Sequence, residues 1–184
     1  MEINKEFAWE FNVKDKFKSC TVSEIKETLK ATNSGFSVMM TQLKGDFNFS
    51  SVVRSANGFN AKEVFYFGKK KWDRRGSLGT HHYTDVKYIS SMEELILLKE
   101  NYCFVALENT GQTSMLHDFD WKKCSGKNPL IILGEEACGL PDEILKICDY
   151  VVEIPMMGSV RSFNAAVAAS IVMYDFIAKK DLIK

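Results

Sequence analysis

The chain lacks net charge: lysine plus arginine number 24 and aspartate plus glutamate 24 among its 184 residues. No global field draws it to nucleic acid, so any such argument must come from local clustering. No apolar run approaches the length needed to span a bilayer. The first ten residues hold acids, without the basic start and apolar stretch of a signal peptide, and the cytoplasm is the expected location. The five cysteines, Cys20, Cys103, Cys124, Cys138 and Cys148, contain no closely spaced zinc-knuckle pair and are odd in number. They read as free thiols of a reducing compartment. With only His81, His82 and His117 to add, no metal site is expected. A Gly-x-Gly-x-x-Gly fingerprint is missing and no Lys-Ser/Thr follows Gly139, which argues against the common nucleotide-phosphate loops. There is no internal repeat or low-complexity tract, and nothing suggests a second domain.

What is present suits a single α/β domain: 46% hydrophobic and 26% charged residues. Thr21 and Glu24 have capping-box spacing and open a helix to about Lys30. Strands are expected at 36–40, 63–67, 86–89, 102–107, 129–133 and 150–154. Helices are expected from Ser50 to Asn57, ending at Gly58, from Ser91 to about Lys99, and after Pro141. A last helix should run from about Ser162 to Ala178 with an apolar stripe of Phe163, Val167, Ile171, Tyr174 and Ala178. Residues 109–127 read as a long polar connection. Phe7, Trp9, Phe11 and Val13 alternate as in a short strand, or belong to an arm that docks its aromatics on the body or on a second subunit. Alternating strands and helices, several strands apolar on both faces, argue for a mostly parallel sheet flanked by helices. The expected division is an arm over 1–20 and a domain over 21–184.

Ligands of open parallel sheets bind beyond the carboxyl ends of the strands, and four segments there carry candidate chemistry. Asn48-Phe-Ser-Ser-Val-Val-Arg54 follows the first strand, with Asn48 near a helix cap and Arg54 a turn beyond Ser50. Ala106-Leu-Glu108-Asn-Thr closes an apolar strand and reads as an ordinary strand end. Leu133-Gly-Glu-Glu136-Ala-Cys-Gly139-Leu-Pro sets two glycines around adjacent carboxylates, the mark of a special backbone turn. Ile154-Pro-Met156-Met-Gly158-Ser-Val-Arg161-Ser-Phe-Asn164 delivers Ser162 and Asn164 to a helix start, where Ser162 could simply cap the helix.

In order, spacing and content these segments resemble the SpoU/TrmH family of RNA ribose methyltransferases of the SPOUT superfamily, over about Phe36 to the end of the last helix. Asn48 and Arg54 match the first motif. Gly134, Glu136, Gly139 and Leu140 match the second, with Ala137 replacing a glycine. Ile154, Pro155, Met156, Ser162 and Asn164 match the third, with Phe163 replacing leucine. The resemblance implies a C-terminal trefoil knot and S-adenosylmethionine as cofactor, held mainly by backbone around Leu107, Leu133, Gly134, Ile154, Met156 and Phe163. It implies a homodimer, in which Ala165, Ala166, Ala168 and Ala169 would let the last helix approach its partner. The bland reading of these alanines is good helix formers packed inside one subunit.

The implied reaction is attack of a ribose 2′-hydroxyl of RNA on the cofactor methyl, with tRNA favoured over rRNA. Arg54 would serve as base or, because a guanidinium resists deprotonation, would hold phosphate and orient the hydroxyl. Asn48, Glu136, Ser162 and Asn164 would complete the pocket. Lys69, Lys70, Lys71, Arg74 and Arg75, interleaved with Trp72, form a candidate RNA surface; a solvated loop explains the same residues. His81 and His82, in the same loop, read as residues touching RNA rather than a metal pair. Competing readings are a non-catalytic SPOUT-fold module and a methyltransferase acting on a base.

Overall fold

In the computed structural model, residues 13–41, 46–68, 71–109, 113–134 and 139–180 are described. Seven parallel strands lie in the order β3-β2-β1-β6-β4-β7-β5. They are β1 (Ser37–Thr41), β2 (Val64–Phe67), β3 (Val86–Ile89), β4 (Tyr102–Leu107), β5 (Ser114–Met115), β6 (Asn128–Leu133) and β7 (Tyr150–Glu153). The helices are α1 (Val22–Ala31), α2 (Asp46–Gly58), α3 (Met92–Leu97), α4 (Asp142–Leu145) and α5 (Ala165–Lys180). The fold class expected from the alternation is therefore observed. β1, β6 and β4 form its centre, buried on both faces, which is why their sequences read as continuous apolar runs.

Strand alternation divides the core in two. Val38, Met40, Val105, Ile131, Leu133 and Val152 face α2 and α5. Met39, Phe104, Ala106, Leu130, Ile132 and Val151 face the side of α3 and α4. α1 begins with the expected capping box, Thr21 and Glu24 each satisfying the other's backbone N–H. Val13, Phe17 and Cys20 pack with Ile25 and Tyr83, so the end of the arm is seated on the body. Phe7, Trp9 and Phe11 lie outside the described residues.

Four expectations are corrected. First, α2 starts at Asp46, so Asn48 sits inside the first turn rather than before it. Second, the long connection holds the edge strand β5, whose two residues are too few to show a period, and two 3-10 turns. Third, Ser162 does not cap the last helix. α5 starts at Ala165, and the Asn164 carboxamide accepts from the N–H groups of Ala166 (3.0 Å) and Val167 (3.3 Å). Fourth, α5 turns its expected stripe outward. Val167 is 48% and Tyr174 63% exposed, while Ala165, Ala166, Ala169, Val172, Met173 and Phe176 are buried. Three of the four alanines are thus spent within the subunit, letting α5 lie close against α2 and the sheet, and the fourth, Ala168, is half-buried.

Candidate functional site

At the carboxyl edge of β6, β4 and β7 the chain forms a cleft of about 160 Å³. All six residues expected around a cofactor, Leu107, Leu133, Gly134, Ile154, Met156 and Phe163, line it, as does Ser162. Strand register explains the convergence: Leu107 pairs with both Leu133 and Val152, so three strands end level. Phe163 lies before α5 and is 38% exposed. Its bulk relative to leucine meets the cleft.

Backbone approach shapes one wall. A Cβ on Gly134 would stand 2.2 Å from the carbonyl carbon of Gly139, and Gly139 has φ +66°, a conformation that side chains resist. Only glycine at both positions lets the two chain segments touch. Glu136 and Ala137, between them, lie outside the described residues.

Glu108, which reads from the sequence as an ordinary strand end, is a residue that reasoning missed. Its carboxylate accepts from the N–H of Leu140 (2.7 Å) and of Asn109 (3.0 Å) and occupies the space a Cβ on Gly139 would need. It ties the glycine turn to β4 by charge-assisted hydrogen bonds. Asn109 in turn donates to the Arg161 carbonyl at 3.4 Å, linking β4 to the loop before α5. The available signal was an acid at the end of an apolar strand on the ligand-binding edge of a parallel sheet.

The first and third motifs meet directly. The Asn164 carboxamide donates to Asn48 Oδ1 at 2.9 Å, across 116 residues of sequence, and Ser170 donates to Ser55 further along the two helices. Arg54 is exposed on α2, forms no hydrogen bond or ion pair with a described residue, and does not line the cleft. The structure brings Asn48 and Asn164 together and leaves Arg54 apart.

The basic loop is ordered by aromatics. Trp72 packs edge-on against Phe49 of α2 (centroids 4.9 Å), Arg74 lies over Trp72 (5.8 Å), and Arg75 over Phe47 (5.7 Å). Gly76 approaches Ser50 so closely that a Cβ there would overlap its hydroxyl. The loop is therefore clamped to the helix bearing Asn48 and Arg54. Arg75 also pairs with Asp73, Nε to Oδ2 at 2.9 Å, which holds the Asp73 carboxyl below its ordinary range. Lys71 is exposed; Lys69 and Lys70 lie outside the described residues.

His81 anchors the far end of the loop. Its Nδ1 is 2.6 Å from Ser77 Oγ, and the Ser77 hydroxyl donates to the Arg74 carbonyl (2.7 Å), so Nδ1 carries the proton. Burial, with the neighbouring His82 and Arg74 charges adding, pushes His81 from 6.5 down to about 4. An unfolded His81 takes up a proton below 6.5, whereas the folded one stays neutral until about 4. Stability should therefore fall as pH drops between those values, by about 1 kcal/mol after allowance for solvent screening, and stay flat above them. Urea midpoints measured across that range should lose this component in His81→Gln; an unaltered profile would remove His81 as its source.

Residues 35–174 match the SpoU rRNA Methylase family. Among relatives, the tRNA (guanosine(18)-2′-O)-methyltransferase of Aquifex aeolicus is 25% identical over 160 residues, 84% of this chain and 74% of that one. The SpoU methyltransferase AviRb from Streptomyces viridochromogenes, solved with the cofactor AdoMet, is similar at TM-score 0.72 and 26% identity over 82% of this chain. This chain spans only 60% of that structure's length. The TrmH/SpoU tRNA modifying enzyme of Aquifex aeolicus shares the fold at TM-score 0.76 and 23% identity, over 88% of this chain and 83% of that one.

Proposed function

Because the chain belongs to the SpoU rRNA Methylase family, we propose that it methylates a ribose 2′-hydroxyl in RNA, more specifically in tRNA. Its cofactor is S-adenosylmethionine. The observation that carries the reading is the convergence of every expected cofactor residue on one cleft beside the joined Asn48–Asn164 pair. The cleft fits such a group: its glycine wall is open backbone and its floor is apolar. In this reading Leu107, Leu133, Gly134, Ile154, Met156 and Phe163 hold the cofactor, which supplies an electrophilic methyl group.

The chain's own work is binding and orientation. The cleft would seat the cofactor, and Ser162 borders it. Asn48 and Asn164 fix the start of α2 to the start of α5. Arg54 would grip RNA phosphate and orient the hydroxyl, with Glu136 completing the pocket. Trp72, Lys71 and Arg74, joined by Lys69, Lys70 and Arg75, would receive single-stranded RNA. Replacing Lys71 and Arg74 with glutamine should flatten the slope of log affinity against log salt by about 0.7 for each phosphate no longer neutralised. Arg75→Gln should do less, because Asp73 already pairs with that guanidinium. Filter binding between about 50 and 200 mM salt reads both, and an unchanged slope in the double variant removes the loop from the RNA surface.

The reading extends to assembly and topology. The outward face of α5, with Val167, Ile171 and Tyr174 beside Ser51 and Ser55 of α2, suits a second copy of the chain. A trefoil knot in the C-terminal half belongs to the same reading. Residues 21–184 would be the methyltransferase domain and 1–20 its arm. Among the described residues no helix is long and apolar enough to cross a membrane, and the proposed substrate places the protein in the cytoplasm.

The test is transfer of labelled methyl from S-adenosylmethionine to RNA lacking modification, followed by nucleoside analysis. A 2′-O-methylnucleoside in the tRNA fraction is expected. A methylated base would favour another branch of the fold, and cofactor binding without transfer would favour a non-catalytic module.

A further inference from the structure

The helix that carries Asn48 and Arg54 also presents an uncovered face. Phe49, Val52, Val53 and Ala56 are the buried stripe of α2. Ser50 meets Gly76 of the basic loop on one flank, and Ser55 meets Ser170 of α5 on the other. Phe47 and Arg54 stand two turns apart, so they share the face left over, opposite the buried stripe and about 10 Å from each other along the axis. Both are exposed, and Phe47, at 60%, is the most exposed phenylalanine or tryptophan among the described residues.

The ring is held without being covered. The Phe47 carbonyl accepts from the hydroxyls of Ser50 (2.9 Å) and Ser51 (3.1 Å), which fixes the first turn of α2. The Arg75 guanidinium lies over the ring, and Asp73 binds that guanidinium, which steadies it there and partly neutralises it toward phosphate. Trp72 has less ring to offer. It is half-buried, edge-on to Phe49 and to His81, with Arg74 over it, so its surface is largely spent on seating the loop. An exposed phenyl ring by itself is ordinary. This one shares a face with Arg54 and touches the loop that carries Lys71 and Arg74, all three exposed cations. Cations for the backbone and a ring for the bases are what single-stranded RNA requires.

We propose that Phe47 is a base-stacking residue for RNA. With a phosphate on Arg54, an unpaired base of the same strand lies on the open side of the ring, away from Arg75. The assignment rests on RNA being the substrate. Every base has a π-face, so stacking here selects an unstacked nucleotide rather than one base over another. The substrate is then a loop or single strand at its target, because a base held inside a duplex does not reach the ring.

Filter binding of unmodified tRNA to the whole chain tests this, with thermal melting and sedimentation on the same preparations. Phe47→Ala should bind about five- to a hundredfold more weakly, with melting temperature and sedimenting mass unchanged. Its slope of log affinity against log salt should stay that of the original chain, because no phosphate contact is lost. Phe47→Trp should bind like the original, whereas Phe47→Leu should fall with Phe47→Ala, since apolar bulk without a π-face does not stack. Original affinity in Phe47→Ala or in Phe47→Leu overturns the assignment and leaves the RNA surface standing. A lighter sedimenting species in Phe47→Ala makes the ring an assembly contact and overturns the assignment as well. An original chain that binds no tRNA overturns the RNA reading and the assignment with it.

Discussion

Arg54→Ala is expected to lower methyl transfer to RNA by about three orders of magnitude while leaving the dissociation constant for S-adenosylhomocysteine within about twofold. The separation of the two effects follows from where the residue stands. Arg54 lies outside the proposed cofactor cleft, is exposed on α2, and its side chain is tied to no described neighbour. Its guanidinium is thus available to substrate and contributes nothing to the cofactor's walls. A guanidinium holds its proton across the working pH range, so the role proposed for it is to fork onto phosphate and fix the hydroxyl rather than to take the proton. Arg54→Lys should recover only part of the rate, since the charge returns without the planar fork. Single-turnover transfer and calorimetry on the same preparations check this. An Arg54→Ala enzyme with undiminished turnover would end the proposed role.

The second large effect is expected at Gly134. The methyl group of Gly134→Ala would meet the Gly139 carbonyl carbon at 2.2 Å and Leu140 N at 2.5 Å. These are backbone atoms of a turn that Glu108 holds in place, so no flexible side chain can yield. Relieving the overlap should cost about 3 kcal/mol of stability and move the wall of the cleft, weakening cofactor binding about a hundredfold. Gly58→Ala is the matching control. Nothing lies within 4 Å of its added carbon, and alanine should hold or improve stability by about 0.5 kcal/mol at this helical position. Denaturant unfolding and calorimetry on both variants decide the matter. A Gly134→Ala chain with native stability and affinity would show that the two glycines need not touch.

Apolar runs identify six of the seven strands in the sequence, because strands buried on both faces leave little else to read. β5 is illegible for the converse reason: two exposed residues carry no pattern. The stripe on α5 has helical spacing in the sequence, and the structure exposes its Val167 and Tyr174. Period tells which residues share a face, while the side that is buried depends on what covers it, here the sheet with α2 rather than the larger side chains. The proposed cofactor residues are legible only through resemblance, and they converge on a single cleft. Glu108 escaped because an acid at a strand end reads as a solvated surface until the neighbouring turn is placed beside it. Asn164 was named for chemistry and proves also to be the helix cap, one carboxamide serving both α5 and Asn48.

The sheet order has a consequence for how the protein comes to be folded. β1 has β6 as one of its two partners, and the Thr41 hydroxyl reaches a carbonyl at Leu133 that lies 92 residues away. The sheet's centre thus closes across half the chain, and such long closures make folding slow. During synthesis β1, β2 and β3 can pair early, but one edge of β1 stays bare until residue 133 has emerged. The edge formed by β6, β4 and β7, which carries the proposed cofactor cleft, is therefore assembled only after β1, β2 and β3 have emerged.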